Sequence, residues 1–189
     1  MTTSNFTAQL HYYNGQIGVV DSLDPSQDGW LCNRLHDKFR GVRFAFTFIG
    51  ADDRGRSYRI SAAEGWAYEG ALVQSNGNGW VGLYGLGVVG RIMEALAAAR
   101  NLGEAADWRM ETLTEWDGDM KTAENVEFHL LDKHGQAMAI RKYSHDFLQP
   151  SGELGKRPQV KQKTFDYLSV DKEAQHKKVR FTLRDIRPA

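Results

Sequence analysis

The clearest pattern along the chain is strict alternation of apolar and polar positions, in short runs separated by turn residues. In V-R-F-A-F-T-F-I, Val42, Phe44, Phe46 and Phe48 fall on one face, with Arg43, Ala45 and Thr47 on the other. Successive strand residues point to opposite sides, so this period of two predicts a half-buried strand. A-D-D-R-G-R-S then turns the chain, and S-Y-R-I-S returns it. L-H-Y-Y-N-G-Q-I-G-V-V carries Asn14-Gly15 between two β-prone runs, the pair a type I′ hairpin turn favours. V-E-F-H-L-L-D-K-H-G-Q-A-M-A-I-R-K repeats the design around a turn from Asp132 to Gly135. The C-terminal segment supplies T-F-D-Y-L-S-V and K-V-R-F-T-L-R-D-I, joined by charged residues and read as a fourth hairpin.

One segment carries the other period. From Val88 to Leu102, apolar residues fall at Val88, Val89, Ile92, Met93, Leu96 and Ala97, with Gly103 placed as a C-terminal cap. That stripe predicts a helix over 88–102. Residues 63–72 fit either a short helix or strand and loop, and 74–79, Q-S-N-G-N-G, read as a flexible loop. The expected fold is α+β: a twisted, mainly antiparallel sheet or partly open barrel built from hairpins and packed on this helix. Its expected core draws Phe44, Phe46, Phe48, Ile60, Leu83, Phe128, Leu130, Ile140, Phe181 and Leu183 from strands. Val89, Ile92, Met93 and Leu96 come from the helix.

Charge adds an asymmetry. The net charge is zero, yet residues 155–189 hold ten Lys/Arg against four acids, or +6, which leaves −6 on residues 1–154. Residues 148–159, with two prolines and two glycines, mark the change. The expected organisation is an acidic core, 1–154, and a basic C-terminal hairpin, 155–189, packed on the same domain. Single-stranded nucleic acid is met by cations that follow phosphates and rings that stack on bases, and this tail interleaves both. Its alternation also buries Phe181 and Leu183 while Arg180 and Arg184 face outward. The candidate partner-binding residues are therefore Lys177, Lys178, Arg180, Arg184, Lys161 and Lys163.

Candidate catalytic chemistry is sparse. Gly85, Gly87 and Gly90 spell G-x-G-x-x-G ahead of the predicted helix. A dinucleotide site needs that turn within a parallel βαβ series, and hairpins surround it here, so the glycines are assigned to a sharp corner. A dinucleotide-binding enzyme using Gly85–Gly90 is the weakest reading. Cys32 and His36 form C-x-x-x-H beside Asp37, without a nucleophile signature around them. Asp117, Asp119 and Glu124 form the densest acid group but lack a calcium-loop pattern. A single cysteine excludes an intramolecular disulfide and fits a reducing compartment. With no signal peptide or apolar span at hand, the expected location is cytoplasmic.

The expectation is a non-enzymatic binding protein, without cofactor or metal, that docks on a protein or nucleoprotein complex. Phage and mobile-element proteins that inhibit host defence complexes share this small, dipolar profile. The alternative is a sequence-tolerant single-stranded nucleic-acid-binding protein.

Overall fold

The computed structural model describes residues 5–13, 15–20, 29–33, 39–64, 68–85, 107–149, 159–170 and 172–189. In chain order the strands are β1 (Phe6–Tyr12), β2 (Gly15–Val20), β3 (Leu31–Asn33), β4 (Phe39–Gly41), β5 (Arg43–Asp52), β6 (Gly55–Ala62) and β7 (Leu72–Ser75). They continue as β8 (Val81–Tyr84), β9 (Asp107–Thr112), β10 (Phe128–Leu131), β11 (Ala139–Gln149), β12 (Gln159–Ser169) and β13 (Phe181–Pro188).

Six of these strands close on themselves. β1 pairs with β5, β5 with β6, β6 with β9, β9 with β10, β10 with β13 and β13 again with β1, all antiparallel. The alternation seen in the sequence sets the inside of this barrel. Phe6, Ala8 and Leu10, Phe44 and Phe46, Tyr58 and Ile60, Trp108 and Met110, Phe128 and Leu130, and Phe181 and Leu183 are all buried. Phe6 stacks on Phe46 at 4.6 Å, and Tyr58 meets both rings edge-on. Aromatic pairs prefer such offset or edge contacts, which add to the gain from buried area. Trp108 satisfies its buried Nε1 by donating to the Val73 carbonyl at 2.7 Å.

A second sheet grows from the barrel through the β1–β2 hairpin. Its order is β4-β2-β3-β12-β11. The β7–β8 hairpin leaves β6 and returns to this sheet through bridges from Trp30 to Gly82 and from Trp80 to Ser169. A smaller core of Val20, Trp30, Cys32, Trp80, Phe165 and Tyr167 lies there.

The α+β class is therefore corrected. Among the described residues the chain is β-sheet, with 3-10 turns only at Ala123–Asn125 and Lys172–Lys177, and the barrel is closed where a partly open one was expected. The physical reason is closure: a sheet wrapped on itself fills its own core with inward side chains and needs no helical layer over it. The predicted helix, 88–102, lies outside the described residues. Val89, Ile92, Met93 and Leu96 lie there with it.

The hairpins fared unevenly. β5–β6 forms as read, with Phe46 opposite Ile60. β1–β2 also forms, but Gly15 already sits opposite Tyr12, and the positive φ falls on Tyr13, at 51°. A Cβ at Gly15 would meet the Asn33 side-chain amide, which would have to swing aside. Of residues 74–79, read as a loop, Gln74 and Ser75 belong to β7, and the rest form a tight turn in which Asn76 Oδ1 accepts from the Asn78 and Trp80 N–H groups at 3.0 Å each. The Asp132 turn forms, its carboxylate accepting from the N–H groups of His134 and Gln136, yet β10 and β11 part after one bridge between Leu131 and Ala137. In the tail, β12 pairs with β11 and β3, whereas β13 pairs with β1 and β10. Stretch 148–159 joins two paired strands, with Gln149 opposite Gln159.

The last strand bends at a bulge. Thr7 faces Arg187 and Gln9 faces Arg184, and between them Asp185 takes a φ of 48°. A positive φ is uncommon outside glycine, and Asp is among the residues that tolerate it. Ion pairs brace the site. Arg43, buried on the outer face of β5, contacts the Asp185 carboxylate, donates to the Asp185 carbonyl at 2.7 Å and pairs with Glu64 at 2.7 Å. Arg187 also grips Asp185, at 2.8 Å. These guanidinium groups, Arg187 foremost, hold the Asp185 carboxyl below its ordinary pKa of 3.8. A depressed carboxylate adds stability above its unfolded value and loses it as pH falls through the folded one. Asp185→Asn is thus expected to melt at a lower temperature than wild type at neutral pH. In melts from about pH 7 to about pH 2, the two curves should converge below the ordinary carboxylate range. A gap that persists unchanged in acid would show that the pairs contribute nothing.

Candidate functional site

The six basic residues of the tail fall into separate places. Lys177 and Lys178 are exposed at the end of the Lys172–Lys177 turn, where Lys178 bridges to Ala139, and Arg180 is exposed just before β13. Arg184 lies further along β13 and donates to the Glu124 carbonyl at 2.8 Å, bracing the bulge. Lys161 and Lys163 belong to β12, opposite Phe147 and His145. His145 is six residues beyond Ala139, about 20 Å along the strand. The tail's basic residues therefore fall in two regions, near Lys177–Arg180 and along β12.

That hairpin holds the most distinctive chemistry. Alternation puts Arg141, Tyr143, His145 and Phe147 of β11 on one face. Their cross-strand partners on that face are Tyr167, Phe165, Lys163 and Lys161 of β12. At its base the face rests on a tryptophan pair. Trp30 and Trp80 stack at 4.7 Å and 16°, with Tyr143 and Tyr167 edge-on to both. Arg141 lies over Trp80 at 4.5 Å, as a cation over a π face. Both tryptophans are buried, while Tyr143 keeps 37% of its surface exposed. Trp30 Nε1 and Ser169 Oγ are buried without a hydrogen-bond partner among the described residues. Arg141 and the part-exposed Tyr143 lie against the tryptophan stack, with Phe165 and Tyr167 buried beside it.

Sequence reasoning misses Trp30, Trp80, Arg141 and Tyr143. They come from three distant stretches, and a lone tryptophan carries no periodic signal. The parity of Lys161, Lys163, Phe165 and Tyr167 was visible, and it marks the same face.

The other candidates have structural occupations. Cys32 is buried in β3, opposite Gly18 and Tyr167, and burial pushes its thiol up to about 12. His36 and Asp37 lie outside the described residues. Of the glycine motif, Gly85 follows β8, which pairs antiparallel with β7, and Gly87 and Gly90 lie outside the described residues. Asp117 and Asp119 accept the N–H groups of Asp119 and Lys121, and Glu124 accepts that of Asp185. His129 Nδ1 meets the Val179 carbonyl at 2.7 Å. Burial and the Arg184 charge lower the His11 pKa. An open depression of about 670 Å³ beside Trp116 is crossed by Arg56, which lies over that ring and donates to the Asp117 carbonyl. Among the described residues no His, Cys, Asp and Glu group could hold a metal, and no helix is long and apolar enough to cross a membrane.

A thiol at about 12 is ionised to about one part in 10⁵ at pH 7, and the thiolate is the reactive form. Native protein is expected to leave Cys32 unlabelled by a thiol-exchange reagent at neutral pH, with full labelling in denaturant. Rapid labelling without denaturant would contradict this burial. No protein-family model matches the chain, and a search of curated proteins finds no match either.

Proposed function

We propose that the chain is a non-enzymatic binding protein that docks on a protein or nucleoprotein complex, with the Arg141–Tyr143 face of the β11–β12 hairpin as its working surface. The observation that carries this reading is the stack of Trp30 and Trp80 beneath Arg141 and Tyr143. Binding hot spots favour Trp, Tyr and Arg held rigidly, because little rotamer freedom is lost on docking. The protonated state of Cys32 supports a non-enzymatic role for that residue. A part as an inhibitor of a host defence complex, acting in the cytoplasm, rests on composition and charge, and belongs to the same proposal.

A second reading has its own support. Rings and cations interleaved on one strand face suit single-stranded nucleic acid. In that case Tyr143→Ala is expected to weaken oligonucleotide binding by about 1–3 kcal/mol. The logarithm of affinity should fall with log salt at a slope of about −0.7 for each phosphate contact.

Both readings meet in one experiment. Native-host capture followed by mass spectrometry identifies the bound complex, and anisotropy with a labelled single strand measures nucleic-acid affinity. Tyr143→Ala with Lys161→Glu and Lys163→Glu is expected to stay cooperatively folded, with a lowered melting temperature from the lost ring contacts, and to lose capture at least about tenfold. Unchanged capture by this folded variant would remove the hairpin face from the account. Weak, salt-insensitive oligonucleotide binding would remove the second reading.

A further inference from the structure

β11 is the outermost strand of the second sheet. Over 11 residues, about 36 Å, its strand partner is β12. Among the described residues its other edge is covered only at the start, where Lys178 bridges to Ala139. From 141 to 149 no strand other than β12 pairs with it among the described residues.

The direction of the open main-chain groups follows from Met138. Its N–H donates to the Leu130 carbonyl and its carbonyl accepts from the Val179 N–H, so both groups turn away from β12. Alternation then directs the N–H and C=O of Lys142, Ser144 and Asp146 to the same outer side. Such an edge is a template for another strand unless its side chains forbid pairing.

Its sequence discriminates between registers. Two copies of one strand paired antiparallel about a two-fold axis put residue i opposite a residue equally far beyond the axis. An axis through Lys142 or Asp146 sets like charges face to face. One through Tyr143 brings Arg141 against His145. An axis through Ser144 places Lys142 opposite the partner's Asp146, and repeats that opposite-charge pair symmetrically. Opposite charges directly across strands stabilise pairing, and like charges oppose it.

We propose that the chain forms a homodimer by antiparallel pairing of β11 with β11 of a second copy, centred on Ser144. Three residue pairs, 142 with 146, 144 with 144 and 146 with 142, exchange about six main-chain hydrogen bonds. The pairing spans Arg141 to Phe147 and stops where Lys178 closes the edge. A two-fold axis normal to the sheet leaves the Arg141–Tyr143 faces of both copies on one side, side by side. The dimer therefore doubles the surface that a partner would meet, although its formation does not depend on what that surface binds. A single strand pair is a small interface, so a dissociation constant of about micromolar order is expected.

Sedimentation of the full chain over about 1–100 µM tests this, with dimer expected to accumulate across that range. Lys142→Glu and Asp146→Lys each convert both symmetric pairs to like charges. Each is expected to weaken the dimer at least about tenfold. Asp146 faces Gln162 of β12, so Asp146→Lys should leave the melting curve of the monomer in place, whereas Lys142 faces Asp166, and Lys142→Glu should also lower it. The combined Lys142→Glu, Asp146→Lys chain restores opposite charges and is expected to restore the dimer. Ser144→Pro, which removes an outward N–H, should also leave monomer. A wild-type monomer at every concentration, single reversals that dimerise like wild type, or a folded double reversal that stays monomeric would each overturn the proposal.

Discussion

The constraint on which the structure depends is the closure of the barrel by its last strand. β13 enters between β1 and β10 and gives each of them its second neighbour within the ring. Without it, the six-stranded ring would be an open sheet with two exposed edges and a half-filled interior. Phe181 and Leu183 reach the core from this strand, and Phe181 lies opposite both Tyr12 and Phe128. Closure joins residues from opposite ends of the chain. Such contacts are entropically late, so the ring is expected to assemble as a unit rather than strand by strand. The bulge at Asp185 lets β13 follow the curve, and Arg43 ties that bend to β5 across β1.

The second sheet depends on that frame. β2 leaves the barrel directly from β1, and β3, β12 and β11 are added in turn. β8 returns from β6 to meet both Trp30 and the end of β12. The Trp30–Trp80 stack is therefore held by two routes out of one barrel, which fixes the rings beneath Arg141 and Tyr143. A surface intended for recognition gains most when its supporting layer is rigid. What the barrel achieves by closing, β11 leaves undone: beyond its bridge to Lys178 the outer edge has no strand partner among the described residues.

Much of this was legible in the sequence, and what was not has a physical reason. Alternation is local, so the inward positions of β5 and β13 could be read directly from Phe44, Phe46, Phe181 and Leu183. Strand partners are not local. T-F-D-Y-L-S-V and K-V-R-F-T-L-R-D-I are adjacent in sequence and look like a hairpin, yet they serve different sheets because the ring needs β13. Asn14-Gly15 marked a true hairpin, but Gly15 lies in β2, opposite Tyr12. The α+β class rested on one apolar stripe, whereas the described core is filled mainly by strand residues. Lys161 and Lys163 were proposed from their charge alone. Trp30, Trp80 and Arg141 had no pattern to betray them, because only the fold brings these three stretches together.

Native-state hydrogen exchange measures the central claim most directly. If β13 closes the ring, the amides of Phe181–Leu183 open only when the whole barrel unfolds. Their exchange free energy should equal that of Phe44–Phe46 in β5 and respond equally to denaturant. Exchange of the β13 amides through a smaller, denaturant-insensitive opening, with β5 still protected, would contradict closure as the constraint that holds the fold.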